Sequence, residues 1–257
     1  MLVKIPLLSL LLFGITYPLC FWLSFRDPIQ HHFHRFHLGC PALVGGLAVG
    51  WIWFLPLSQP LKNFGLIWLM LFFFLTAFYW KKTKVNLWII SFLVLYGIKL
   101  YANLCGQWLA FHPVEIAVSL LDGLIVSATF YAMNLGHFYL NVHGLKINHL
   151  KNAVQAFILL VILRLIWDIY SVQACRVMDN GEEIKLVHFL LSTDGLLLWV
   201  ALFFGTLFPF GASYFAFGTL KLKNTQATTG ILYVILAAVL LGDLAYKYYL
   251  LKYGIAL

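Results

Sequence analysis

The chain has 257 residues, of which 63% are hydrophobic, 18% aromatic and only 10% charged. A soluble domain carries about 25% charged residues, so this composition excludes a soluble enzyme and leaves no polar segment long enough for an extramembrane domain. The formal net charge of +8 is spread over short loops and not gathered into a basic stripe, which excludes a nucleic-acid surface and fits topology signals beside membrane spans.

At about 20 apolar residues per spanning helix, eight spans are predicted, near 5–25, 38–57, 63–80, 86–105, 114–138, 152–173, 185–208 and 227–250. The predicted fold is all-α: a polytopic integral membrane helical bundle forming a single transmembrane domain, 1–257. The first apolar run is long, and Arg26-Asp27-Pro28 follows it in place of a small-residue cleavage pattern. It reads as a retained span and not a signal peptide. His31, His32, His34 and His37 precede the second span. Their irregular spacing, with Phe and Arg interleaved, suits an interfacial turn at least as well as a metal site, and no metal site is predicted. Lys99 falls deep within the fourth span. Cys105 and Cys175 fall in loops on one side of the membrane, where an oxidising compartment would let them pair.

Ionisable groups inside hydrocarbon cost several kcal/mol, so they face a protein interior or a water-filled cavity and are functional candidates. His112 and Glu115 stand at the start of the fifth span, and Asp122 lies within it. His137, next to Gly136, ends that span; it is either a hydrogen-bonded helix-end residue or an axial ligand to haem b, with the four-His loop, His143 and His149 as candidate second ligands on its side, and His112 with His188 as a separate candidate pair on the other. Arg164 and Asp168 in the sixth span, and Asp243 and Lys247 in the eighth, have the i, i+4 spacing that puts both members on one helical face. Each pair is either a functional group or a neutralising device that makes a polar helix insertable, and Lys247 is near enough to a helix end to snorkel. His188 and Asp194 are placed on the outer half of the seventh span. Trp167, Tyr170 and Trp199 are the aromatic neighbours. From 208 to 220, Pro209 and Gly211 interrupt an apolar stretch, leaving either a kinked extension of the seventh helix or an interfacial segment.

Orientation follows from the cations near span ends. Nine fall on one side (Arg26, Arg35, Lys81, Lys82, Lys84, Lys146, Lys151, Lys221, Lys223) and six on the other (Lys4, Lys62, Arg176, Lys185, Lys247, Lys252). The first side is expected to be cytoplasmic, with both ends of the chain outside.

In the last span Gly242, Asp243, Lys247 and Tyr248 stand where eight-span membrane anchors of the DMSO reductase and polysulfide reductase type carry Gly-acid-x-x-x-Arg-aromatic. The chain resembles that family over its final helix, with Asp for Glu and Lys for Arg. The resemblance implies a bacterial inner-membrane subunit, for which the outer side expected from the cation count is the periplasm. Such a subunit binds quinone near the periplasmic face and passes electrons to iron–sulfur or cytochrome partners. Oxidising a quinol releases protons, so its pocket needs an apolar slot and groups that accept them; Asp122, Arg164, Asp168, His188 and Asp194 are the candidates. On this reading the chain is one subunit of an oxidoreductase complex and not an enzyme alone. A proton- or ion-coupled transporter or channel, and a structural or assembly subunit, remain the alternatives.

Overall fold

The computed structural model describes residues 2–25, 29, 33–108, 113–142, 145–179 and 181–257. Eight of its helices are long and apolar enough to cross a membrane: α1 (Lys4–Ser24), α2 (Phe33–Phe54), α3 (Gln59–Tyr79), α4 (Leu87–Trp108), α5 (Pro113–Asn141), α6 (Asn148–Ala174), α7 (Leu196–Lys221) and α8 (Thr225–Tyr253). The molecule is thus a polytopic α-helical membrane protein. Its only β-structure among the described residues is a hairpin between α6 and α7. There β1 (Arg176–Asp179) pairs antiparallel with β2 (Glu182–Lys185), with Arg176 opposite Lys185. The chain divides into two compact units, one of Pro6–Ile116 and one of Ala117–Leu257 with the residues up to Ile5.

In the first unit α2 packs on α3 and α3 on α4, while the second half of α1, a 3₁₀ segment over Tyr17–Ser24, lies against α2 and α4. Pro18 at the start of that segment explains the change of winding, because it has no N–H for the α ladder. Trp68 of α3 is fully buried, and its Nε1 donates to the Leu93 carbonyl of α4 at 3.1 Å. The indole fits because Gly45 and Gly97 face it; a Cβ at either would come within 2.9 Å of the ring. Lipid tails are as apolar as the side chains, so such close packing, and not hydrophobic transfer, holds spanning helices together. His34 and His37 are buried in this unit. His34 Nε2 donates to the Tyr79 carbonyl at 2.9 Å, and His37 Nδ1 is hydrogen bonded to the Tyr17 hydroxyl at 2.5 Å. These two are interior helix-positioning residues, not an interfacial turn; His31 and His32 lie outside the described residues.

In the second unit α8 packs on α7, and α7 on α6. The seventh span differs most from expectation, running from Leu196 to Lys221 and not 185–208. The apolar residues after β2 form only a short helical turn, Leu186–Phe189, and Ser192–Gly195 then folds as a turn before α7 begins. The segment 208–220 is a continuation of this helix. A π-helical turn over Phe203–Leu207 precedes Pro209, with Phe208 N–H donating to the Phe203 carbonyl five residues back. Pro209 lacks a donor and its ring would meet the Gly205 carbonyl of a regular helix; the wider turn relieves that conflict without ending the helix.

None of the four cysteines is joined in a disulfide. Cys105 lies fully buried within α4 and not in a loop, while Cys175 follows the last residue of α6. The cross-link between them is therefore not made.

Candidate functional site

Within the second unit three spanning helices deliver charge to one point. Arg164 of α6 is fully buried. Its Nε donates to Asp168 Oδ1 at 2.9 Å, its Nη1 to Asp122 Oδ1 of α5, and its Nη2 to the Leu257 carbonyl. The guanidinium lies over the Tyr246 ring of α8, 3.7 Å from its centroid. A planar fork with fixed donors can serve two carboxylates, a carbonyl and an aromatic face together, which an ammonium could not. Trp167 Nε1 donates to the Ala256 carbonyl at 3.0 Å, so the residues after α8 fold back against α6.

The second oxygen of Asp168 is equally engaged. Oδ2 accepts from Thr206 Oγ1 at 2.6 Å and from the Tyr246 hydroxyl at 2.8 Å, and those two hydroxyls are themselves 2.9 Å apart. Thr206 sits on the π turn of α7. Its approach depends on glycine: a Cβ on Gly242 would collide with the Gly205 backbone, and one on Gly205 with the Tyr246 ring. The two helices therefore cross in backbone contact beside Asp168.

Asp243 and Lys247 form a second buried ion pair one turn apart on α8. Lys247 is only 1% exposed, so it does not snorkel to a surface. Asp122, Arg164, Asp243 and Tyr246 line a common cavity of about 10 Å³, the least space that holds a single water molecule. The side chains of this centre comprise three carboxylates and two cations.

Several predicted residues stand elsewhere. His188 and Asp194 do not lie on the outer half of a seventh helix. Both are exposed in the segment that precedes α7. Asp194 Oδ2 accepts from the Tyr253 hydroxyl at 3.0 Å and lies 3.7 Å from Lys252 Nζ, while its carbonyl accepts from Tyr249 at 2.6 Å. It fastens the end of α8 to this turn. Trp199 is exposed, with its Nε1 donating to the Leu190 carbonyl at 3.0 Å, and Tyr170 is exposed beside Trp167. Lys99 is an exposed residue of α4, in the first unit.

His137 is exposed as well, and its carbonyl accepts from Asn141. The neighbour that Gly136 admits is Thr229 of α8. An exposed imidazole does not suit an interior haem held by two histidines. Of the separate pair, His188 is exposed and His112 lies outside the described residues. Among the described residues no three His, Cys, Asp or Glu side chains gather in a way that would hold a metal ion. A groove of about 620 Å³ runs between α7 and α8, lined by Phe203, Leu207, Phe208, Phe215, Ile231 and Val234 among others. Its lining is almost wholly apolar, whereas a quinone site also needs polar groups for the ring oxygens.

Sequence reasoning missed Thr206 and Tyr246. Tyr246 is three residues beyond Asp243 and so shares its helical face, a signal the sequence did contain. Thr206 had none, because its inward position follows from the π turn. Comparison with family models, with curated proteins and with solved structures gives no match to this chain.

Proposed function

We propose that this chain is a proton-handling integral membrane protein, with the centre formed by Asp122, Arg164, Asp168, Asp243 and Lys247 as its exchange site. One observation carries this reading: among the described residues, three buried carboxylates of spanning helices face two buried cations. An uncompensated charge in a medium of low dielectric is far more costly than a bound proton. Asp122 and Asp243 share the one-water cavity, and two carboxylates on a common site hold one proton between them more readily than two charges.

The ring of oxygens around Asp168 offers a neighbouring station. Thr206, Tyr246 and Asp168 make three contacts of 2.6 to 2.9 Å with two hydroxyl protons between them. A third proton would complete the circuit. Proton passage along such a ring transfers a proton across each contact, one O–H bond breaking as the next forms, and rotation of the two hydroxyls then resets the ring.

Infrared titration of the purified protein tests the proposal. We expect a carboxylic-acid carbonyl band that appears and disappears with pH and is lost or displaced in Asp122→Asn. If no carboxyl group of the centre titrates, the cluster is a fixed structural lock.

A second reading, quinone binding by the same unit, is supported by the groove on α7 and α8. Phe203, Phe208 and Phe215 offer ring faces there, and Thr206, on the π turn whose residues Phe203 and Leu207 line the groove, bonds to Asp168. The Gly242, Asp243, Lys247 and Tyr248 pattern favours the same class: a subunit of a bacterial inner-membrane respiratory complex with iron–sulfur or cytochrome partners. Quinone extracted from the purified complex, and diminished by Phe215→Ala, would support it; quinone-free protein with full activity would remove it.

A further inference from the structure

We infer that the second unit carries a binding site for the phosphate of an anionic phospholipid headgroup, in a cleft between the start of α6 and the end of α7. The cleft measures about 240 Å³ and is lined by Asn148, Lys151, Phe217, Leu220, Lys221 and Lys223 with Ile147. Three of these residues are cationic and none is acidic. None of the three lysines has a carboxylate partner among the described residues.

Lys221 suits the last turn of α7, where the helix dipole favours a cation, but local structure disfavours the other two lysines unless an anion is present. Lys151 stands in the first turn of α6, where the helix dipole is positive and a cation is disfavoured. That turn contains no acidic residue, and no side chain caps it. Lys223 is the one non-glycine residue with a positive φ among those described, at 58°. The chain accepts a conformation that suits glycine at a position that presents a lysine to the cleft. Asn148 adds a side-chain amide able to donate to a phosphate oxygen.

The cleft's position identifies the source of the anion. It opens at the ends of two spanning helices, which is the level of the headgroups. Leu222, between two of the lysines, is 81% exposed, an apolar group suited to the acyl boundary beside the headgroup. Basic pockets between spanning helices at this level are the recognised geometry for acidic headgroups.

Native mass spectrometry of the full chain, titrated with phosphatidylglycerol or phosphatidylcholine, tests the inference. We expect one retained phosphatidylglycerol and no comparable retention of phosphatidylcholine. Each of Lys151→Gln and Lys221→Gln should weaken retention about fivefold, the effect of one surface lysine on an anionic lipid. Lys223→Gly is the decisive variant: glycine suits the positive φ, so the melting temperature should hold or rise while lipid affinity falls. Lys81→Gln/Lys82→Gln removes the same kind of charge from the other unit and should leave retention unchanged. Equal binding of both lipids, equal loss in that control, or displacement of the lipid by inorganic phosphate would each overturn the inference.

Discussion

Arg164 is the residue on which the buried centre depends. It neutralises Asp122 and Asp168 at once and caps the Leu257 carbonyl. Removing one member of a buried ion pair leaves its partner uncompensated, at a cost on the order of 3–5 kcal/mol. Arg164→Met should therefore lower stability by at least that order, measured by denaturant titration in detergent. Arg164→Met/Asp122→Asn/Asp168→Asn should recover most of the loss, because the stranded charges are then gone. If the triple variant is no better than the single one, shape and not charge sets the cost. The i, i+4 spacing made Arg164–Asp168 and Asp243–Lys247 legible in the sequence as pairs. It could not show that Asp122, which has no cation one turn away on its own helix, takes its cation from α6. Spacing reports neighbours along a helix and is silent about neighbours across one. Asp194 was misjudged for the same reason: its partners come from the end of α8.

At the scale of elements, the crossing of α7 and α8 is set by two glycines in backbone contact. Gly242→Ala would push a methyl group into the Gly205 backbone and separate Thr206 from Asp168. We expect a loss of about 1–3 kcal/mol from overpacking, with weakened hydrogen bonding at Asp168 visible in the same infrared bands. Gly230→Ala is the matched comparison on α8. A Cβ there meets nothing, and alanine favours a helix by up to about 1 kcal/mol, so stability should hold or rise. Equal damage from both substitutions would contradict the close-crossing account. Hydropathy found every span, but it misplaced the seventh by about half its length. The apolar residues near 186–191 resemble the start of a helix, and Pro209 resembles its end. Only the hairpin on one side and the π turn on the other reveal the true limits, and neither has a hydropathic signature.

For the whole molecule, the eight spans among the described residues predict that both ends of the chain lie on one side of the membrane. Reporter fusions should place the Lys81–Lys84 loop opposite them, on the cytoplasmic side if the nine-to-six distribution of cations governs insertion. Fusions that report this loop on the same side as either end would refute the eight-span topology.

The division of the charged centre among helices also bears on how the chain is made. Arg164–Asp168 and Asp243–Lys247 each pair within one helix, so α6 and α8 leave the translocon with those charges already matched. Asp122 has no such partner on α5; its counter-ion arrives only with the following span. An aspartate at the centre of an isolated span opposes insertion by about 2.5–3.5 kcal/mol; Asp122, a third of the way along the 29-residue α5, carries part of that cost. Helix α5 should therefore wait at the translocon and enter the bilayer together with α6. Nascent chains arrested after α5 should insert that span poorly, and chains extended through α6 should insert it well. With Asp122→Asn the first should catch up with the second, as read by glycosylation mapping. Failure of the extended chain to improve insertion would show that α5 enters alone and acquires its arginine afterwards, within the membrane.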